Sequence, residues 1–375
     1  MMALLGGDGH TGLRGGWLVA AITSVCSAGF LLFGYDQGVM SGVVISSFWL
    51  DAMGQPDELL IGTITALYDV GAVVGAVLAA VASEPLGRKR TLMVGAALVL
   101  IGGAFMGAAW SRNVFAAARV VVGLGVGFAT SAAPVYQSEI SAASQRGWLA
   151  CCQSTTMLVG LALAYWVNYA LYFHAGDLQW RFPLAFQCIF AVYILALSPF
   201  LPDTPRWLVM RHRERALTVL ARLRGAAEDE SIVRREYDNI VGAVTLESRQ
   251  QGSWLDMFRP DQLGSDKRFY LALGIQFMQQ MTGINIVTYY APTLYKSSLG
   301  MSQETALLLG CFTQVWYIAA SLVTWYTIDR VGRRKSFISM ALAMCLILAG
   351  EAACIGAGTP TAAVAAVILI FLFEA

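Results

Sequence analysis

Three carboxylates and a run of amides stand where the surrounding sequence is almost wholly apolar. Asp36 lies in GFLLFGYDQGVMSG (29–42), Asp69 in LYDVGAV (67–73), and Glu351 in a later apolar run. A charge near the centre of a bilayer costs roughly 2.5–3.5 kcal/mol on insertion scales, so an acid kept there is read first as functional. The chemistry open to it is proton binding. Low dielectric favours the neutral carboxyl group, and a nearby cation favours the carboxylate. An acid whose neighbours change during a conformational cycle therefore loads and releases a proton. Arg119, at the start of another apolar run, is the candidate cation for Asp36. The plainer alternative is that Asp36 sits at a helix end, solvated and passive. Asp69 is expected to face a bundle interior, and neither it nor Glu351 has an assigned partner.

The amides form a second constellation, QQMTGIN (279–285). Each amide offers two donors and an acceptor, which suits a neutral solute carrying vicinal hydroxyls. Gln276, Gln279, Gln280 and Gly283 fall on adjoining positions of one helical face at steps of three and four. Gly283 lets the helix open and expose backbone at mid-membrane, with Asn285 beside the break. Membrane glutamines also serve as interhelical glue, worth under about 2 kcal/mol each, and that alternative stays open.

These residues must be held by membrane-spanning helices. The 375 residues are 57% hydrophobic and 13% charged, against about 25% charged in a soluble domain. The apolar runs are long and continuous, unlike the alternating ten-residue strands of a barrel. Spans are expected at 17–42, 61–82, 91–110, 114–136, 149–173, 184–202, 270–295, 305–328 and 336–357, and a tenth run begins near Thr361. Lys and Arg concentrate in SEPLGRKR (83–90), SEISAASQRG (138–147), the stretch 203–268 and DRVGRRK (329–335), which places these loops and the N-terminus in the cytoplasm.

An enzymatic role has little to stand on. Three histidines (His10, His174, His212) and seven scattered cysteines give neither zinc spacing nor a disulfide framework, and no nucleophile has an acid/base partner. A net charge of +1 implies no nucleic-acid partner. The GLGVG run lies inside a span with no preceding strand, so it is not a nucleotide loop. Its Gly123 and Gly127, like Gly71 with Gly75 and Gly103 with Gly107, form small faces suited to close helix packing.

EPLGRKR (84–90) and DRVGRRK (329–335) align Gly87 with Gly332 at an offset of 245, and the same offset carries the opening span onto 270–295. That is the plan of two like-oriented halves joined by a cytoplasmic linker. The expected divisions are a cytoplasmic N-terminus (1–16), a six-helix half (17–202), a linker with short amphipathic helices (203–266) and a partial second half (267–375) of about three full spans plus a partial one. The offset projects PVYQSE (134–139) beyond Ala375, so the chain is expected to be truncated at its C-terminal side.

With these motifs in hand, the chain resembles the sugar-transporter family of the major facilitator superfamily, particularly its fungal monosaccharide and quinate-type members. GYDQGVMSG (34–42), GRKR (87–90), RVVVGLGVGFATSAAPVYQSE (119–139), PDTPRW (202–207), QQMTGINIVTYYAP (279–292) and DRVGRRK (329–335) resemble the family's motifs, in order. The resemblance implies an all-α membrane protein with the major facilitator fold of two parallel six-helix halves, here with the second incomplete. It implies sugar or polyol transport by alternating access, with proton symport through an Asp36–Arg119 pairing, and contact of Gln279, Gln280 and Asn285 with sugar hydroxyls. Gln153 matches the fifth-span glutamine of the family. Glu84 and Pro85 depart from the usual D-R-x-G-R-R loop: glutamate keeps the charge, while proline removes a cation and stiffens the loop.

Tyr289 and Tyr290, near the outer end of the seventh span, suit either an outer gate or the interfacial aromatic belt. On the cytoplasmic side Glu84, Arg88, Glu139, Arg146, Arg206, Asp329 and Arg333 are expected to pair across the halves and bias a two-state equilibrium. The implied partners are a small neutral hydroxylated solute and the lipid bilayer. The chain is expected to act as a monomer in the plasma membrane, with the proton as coupling ion and no cofactor. An uncoupled facilitator, a transporter-like nutrient sensor and a nonfunctional truncated product are the alternatives.

Overall fold

Every regular element among the described residues of the computed structural model is helical; those residues are 12–142, 146–249, 258, 264–297, 300–357 and 359–374. The first half comprises α1 (Gly16–Val43), a short α2 (Ser47–Ala52), α3 (Glu58–Leu86), α4 (Arg88–Gly107), α5 (Arg112–Ile140) and α6 (Arg146–Tyr172). It closes with a sixth crossing built from α7 (Leu178–Phe186), α8 (Cys188–Leu197) and a 3-10 turn, Ser198–Phe200. The stretch between the halves carries α9 (Pro205–Arg211), α10 (Arg213–Arg224) and α11 (Ser231–Arg249). The second half has α12 (Ser265–Met281), α13 (Ile284–Ser297), α14 (Gln303–Val331), α15 (Arg333–Ala357) and α16 (Pro360–Phe373).

Eight helical stretches among the described residues are long and apolar enough to cross a membrane: six in the first half, then α14 and α15. At 1.5 Å per residue, even the 20 residues of α4 reach about the 30 Å of the hydrocarbon core. The sixth crossing starts at Leu178 rather than near residue 184. The seventh is not one helix. Gly283 adopts φ +80°, which only glycine takes without strain, and the chain breaks there into α12 and α13.

Local chemistry explains the helix boundaries. The side chains of Asp57, Ser111, Thr204 and Thr359 accept the N–H groups of Leu60, Val114, Trp207 and Ala362, capping α3, α5, α9 and α16. Pro205 opens α9 where its missing N–H costs nothing. Gly225, at φ +67°, ends α10 in the left-handed conformation. The two equivalent loop glycines, Gly87 and Gly332, share φ values of +88° and +89°, so the internal repeat is visible in backbone geometry.

The first half is dense. The α3–α5 seam interlocks through Gly71 and Gly75 on one helix and Gly123 and Gly127 on the other; a Cβ on Gly123 would lie 2.1 Å from the Tyr68 carbonyl oxygen. Val70, Val73, Val77 and Val81 form the outward flank of α3, as a lipid-facing surface requires. Trp207, Leu208, Ala216 and Leu223 of α9 and α10 bury against the first-half core, so these helices seat on that half. A smaller core in the second half gathers Val287, Ala291, Tyr295, Ala306, Ile370 and Phe373. No residue of α12 is buried.

Candidate functional site

Asp36 on α1 and Arg119 on α5 are 83 residues apart in sequence and meet in the first-half core, 0% and 2% exposed. One guanidinium nitrogen, Nη1, donates to Asp36 Oδ1 at 3.3 Å, and Nη2 donates to the Thr65 carbonyl at 3.3 Å. The guanidinium also lies over the Tyr68 ring, 4.8 Å from its centroid. Asp36 Oδ2 and Arg119 Nε have no hydrogen-bond partner. A bidentate Arg–carboxylate pair would place two bonds near 2.7–2.9 Å. This pair makes one longer bond and keeps unused bonding capacity.

Thr65, Tyr68 and Asp69 project from neighbouring turns of α3 at steps of three and four, which brings Asp69 into electrostatic reach of Arg119. Asp69 therefore has surroundings that its sequence context did not disclose. Tyr289 of α13 reaches across from the second half to the same region, facing Asp69 and Gln37, while its hydroxyl makes no hydrogen bond of normal geometry. Tyr289 is 9% exposed, so it is not part of an interfacial belt. The adjacent Tyr290 turns the other way. It lines a cavity of about 440 Å³ with Thr282, Gly283, Thr293 and the buried Glu351.

The amides gather at the helix break. Asn285 Nδ2 donates to Gln280 Oε1 at 2.7 Å, bridging Gly283, and Thr282 Oγ1 donates to the Gln279 carbonyl at 2.6 Å. Gln276, Gln279 and Gln280 are exposed. Gln153 is placed elsewhere. It is 5% exposed and lines a cleft of about 310 Å³ between α5 and α6 with Pro134, Gln137, Ser138 and Ser141, none of which borders the cavity at the break.

The described members of the loop charge cluster pair within the first half and the helices that follow it. Arg88 Nη2 meets Glu139 Oε1 at 3.0 Å, and Arg206 Nη2 meets Glu247 Oε1 at 2.5 Å. The Arg88 and Thr204 backbone N–H groups donate to Asp203 Oδ1 at 3.2 and 2.9 Å. Trp207 Nε1 donates to the Glu84 carbonyl at 2.8 Å, so Glu84 contributes backbone while its side chain stays exposed. PDTPRW folds back under the loop between α3 and α4, which sets Asp203 and Trp207 against it. The side chains of Arg146, Asp329 and Arg333 lie outside the described residues.

This arrangement, a helical bundle with an ion pair buried in its first half and a broken helix in its second, is that of a helical multi-pass membrane protein of the major facilitator fold. The chain belongs to the Sugar (and other) transporter family, which it matches over residues 20–375. It is 38% identical over 333 residues to the MFS-type transporter oryC of Aspergillus oryzae, covering 87% of this chain and 62% of that protein. It is 30% identical over 379 residues to the sugar transporter STL1 of Saccharomyces cerevisiae, covering 97% of this chain and 66% of that one. The chain thus spans about two thirds of the length of these relatives. Among solved structures, the proton:xylose symporter XylE of E. coli bound to 6-bromo-6-deoxy-D-glucose matches with a TM-score of 0.79 at 27% identity, over 95% of this chain and 78% of that one.

Proposed function

We propose that the chain carries a neutral sugar or related polyol across the membrane by alternating access, in symport with a proton. The observation that carries this reading is the fully buried Asp36–Arg119 pair, joined by one 3.3 Å bond and leaving a carboxylate oxygen unpartnered. In this mechanism Asp36 takes up a proton when the pair separates and releases it when Arg119 returns. Asp69 lies close enough to share Arg119 and to feel each change of charge. The amides of Gln276, Gln279, Gln280 and Asn285 supply donors and acceptors for sugar hydroxyls, and the break at Gly283 lets the outer segment of the seventh crossing move relative to the inner one.

Gln153 serves as a contact on the cytoplasmic exit side, and Tyr289 and Tyr290 belong to the outer gate. Glu84, Arg88, Glu139, Arg146, Arg206, Asp329 and Arg333 form the cytoplasmic lock between the halves. The N-terminus and the basic loops face the cytoplasm, the membrane is the plasma membrane, and the working unit is a monomer with no cofactor beyond the transported proton. The relatives named for sugar transport and the named proton:xylose symporter support the same assignment. The test is uptake of a panel of labelled sugars and polyols into proteoliposomes, with and without an inward proton gradient. Accumulation of at least one solute above equilibrium, collapsed by a protonophore, supports the reading; equal filling under both conditions replaces it with an uncoupled facilitator.

A further inference from the structure

Pro292 sits inside α13, and proline has no N–H to donate. The carbonyl four residues earlier, that of Thr288, therefore loses its in-helix donor. The missing donor comes from the other half of the molecule: Tyr165 Oη of α6 donates to the Thr288 carbonyl oxygen at 2.5 Å, in a buried contact. Tyr165 is 1% exposed and packs with Leu161 and Cys311 at the seam between the halves. The slot for its ring is kept open by Gly310 of α14, where an added Cβ would lie 2.8 Å from the ring carbon Cε1 and 3.4 Å from Pro292 Cγ.

We propose that Tyr165 is a positioning residue of the transport cycle, a hydroxyl latch that docks the outer segment of the seventh crossing onto the first half by capping the carbonyl that Pro292 leaves open. Three residues from separate helices combine to this end. Pro292 creates the unsatisfied acceptor, Tyr165 supplies the donor, and Gly310 gives the ring its place. A neighbouring contact adds to the closure, since Gln303 Nε2 of α14 donates to the Ile45 carbonyl at 3.1 Å near the outer ends of the helices. A buried acceptor left without a donor is strongly disfavoured, so the bond favours the arrangement in which the outer ends are together. When α13 swings away, water or a solute hydroxyl must replace Tyr165. The inference deepens the transporter reading and rests on it for the meaning of the motion, although the latch is measurable without any solute.

The test is a double-mutant cycle on the full chain in lipid nanodiscs, with spin labels at the exposed outer positions Asp51 and Glu304 to report the separation of the halves. Tyr165→Phe keeps the ring and removes the hydroxyl, and is expected to raise the ratio of outer-open to outer-closed molecules about tenfold. In a Pro292→Ala background, residue 292 supplies its own N–H to the Thr288 carbonyl, and the same substitution is expected to shift the ratio by under about twofold. An equal shift in both backgrounds, or none in either, overturns the proposal. Should Pro292→Ala not fold, Gly310→Ala is the second arm: its methyl group displaces the ring, and the outer-open fraction must rise as with Tyr165→Phe, an unchanged distance distribution counting against the latch. In uptake assays Tyr165→Phe is expected to change the maximal rate while KM stays within about twofold. Failure of the transporter reading would remove uptake and leave the distance shifts in place, so the two outcomes are separable.

Discussion

The two halves of this molecule hold their polar residues in opposite ways. In the first, helices approach until backbone meets backbone: Gly123 and Gly127 rest on the Tyr68 and Ala72 carbonyls, and Asp36 and Arg119 are sealed in the packed interior. In the second, α12 buries no residue, and the amides of QQMTGIN stand exposed beside a glycine break. The proton affinity of a buried acid follows its burial and the distance to its cation, so a tightly packed surround makes it respond sharply when that cation moves. A group that must grip and release a hydroxylated solute needs an approachable, rearrangeable backbone. The acid–arginine pair lies in the tightly packed half, and the amides lie beside a backbone break.

Breaking the rigid side is expected to have the largest effect. Arg119→Leu strands Asp36 in the core without its cation, and removing one partner of a buried pair costs about 3–5 kcal/mol, to be read as a fall in thermal unfolding temperature in detergent. Combining it with Asp36→Asn should restore much of that loss. Asp36→Asn alone is expected to fold, to lose accumulation of solute above equilibrium, and to keep counterflow exchange. Gln280→Ala or Asn285→Ala, which each remove one side of the bridge across Gly283, are expected to raise KM about tenfold while leaving proton coupling intact.

A smaller contrast sharpens the comparison at the level of single methyl groups. Gly123→Ala places a Cβ 2.1 Å from the Tyr68 carbonyl oxygen and forces α3 and α5 apart, at an expected cost of about 1–3 kcal/mol. Gly274→Ala, in α12 with nothing within 4 Å, is expected to be neutral or to stabilise by about 0.5–1 kcal/mol. Equal destabilisation at both sites would contradict the difference in packing.

The smallest effect concerns the cytoplasmic lock. Burial holds the Asp203 carboxyl above its ordinary value, against hydrogen bonds from the Thr204 and Arg88 backbone and the attraction of Lys89. A carboxyl raised on folding contributes stability that is complete below its unfolded pKa and is lost as pH rises through the folded one. Thermal stability should therefore decline slightly as pH rises across that window, and Asp203→Asn should flatten the decline.

Much of the fold could be read directly from the sequence, because apolar run length reports bilayer crossing without reference to tertiary contacts. The equivalence of Gly87 and Gly332 was legible for the same reason, since a left-handed turn constrains one residue type locally. The break at Gly283 was also foreshadowed. Features that depend on which helix lies beside which were not legible. Nothing in LYDVGAV announces that Asp69 faces Arg119 and Tyr289, and nothing in PDTPRW announces that Asp203 and Trp207 are set against the first loop. Tyr165 looks like any aromatic in an apolar span until Pro292 is seen across the seam.

The central claim is that the buried acid on α1 carries the coupling proton. Its most direct test is the proton movement that accompanies solute entry, recorded with a pH-sensitive dye inside proteoliposomes. Adding a transported sugar outside is predicted to acidify the lumen in step with uptake for the native chain, and to leave lumenal pH unchanged for Asp36→Asn while exchange continues. Acidification of the same size with Asp36→Asn would contradict the account.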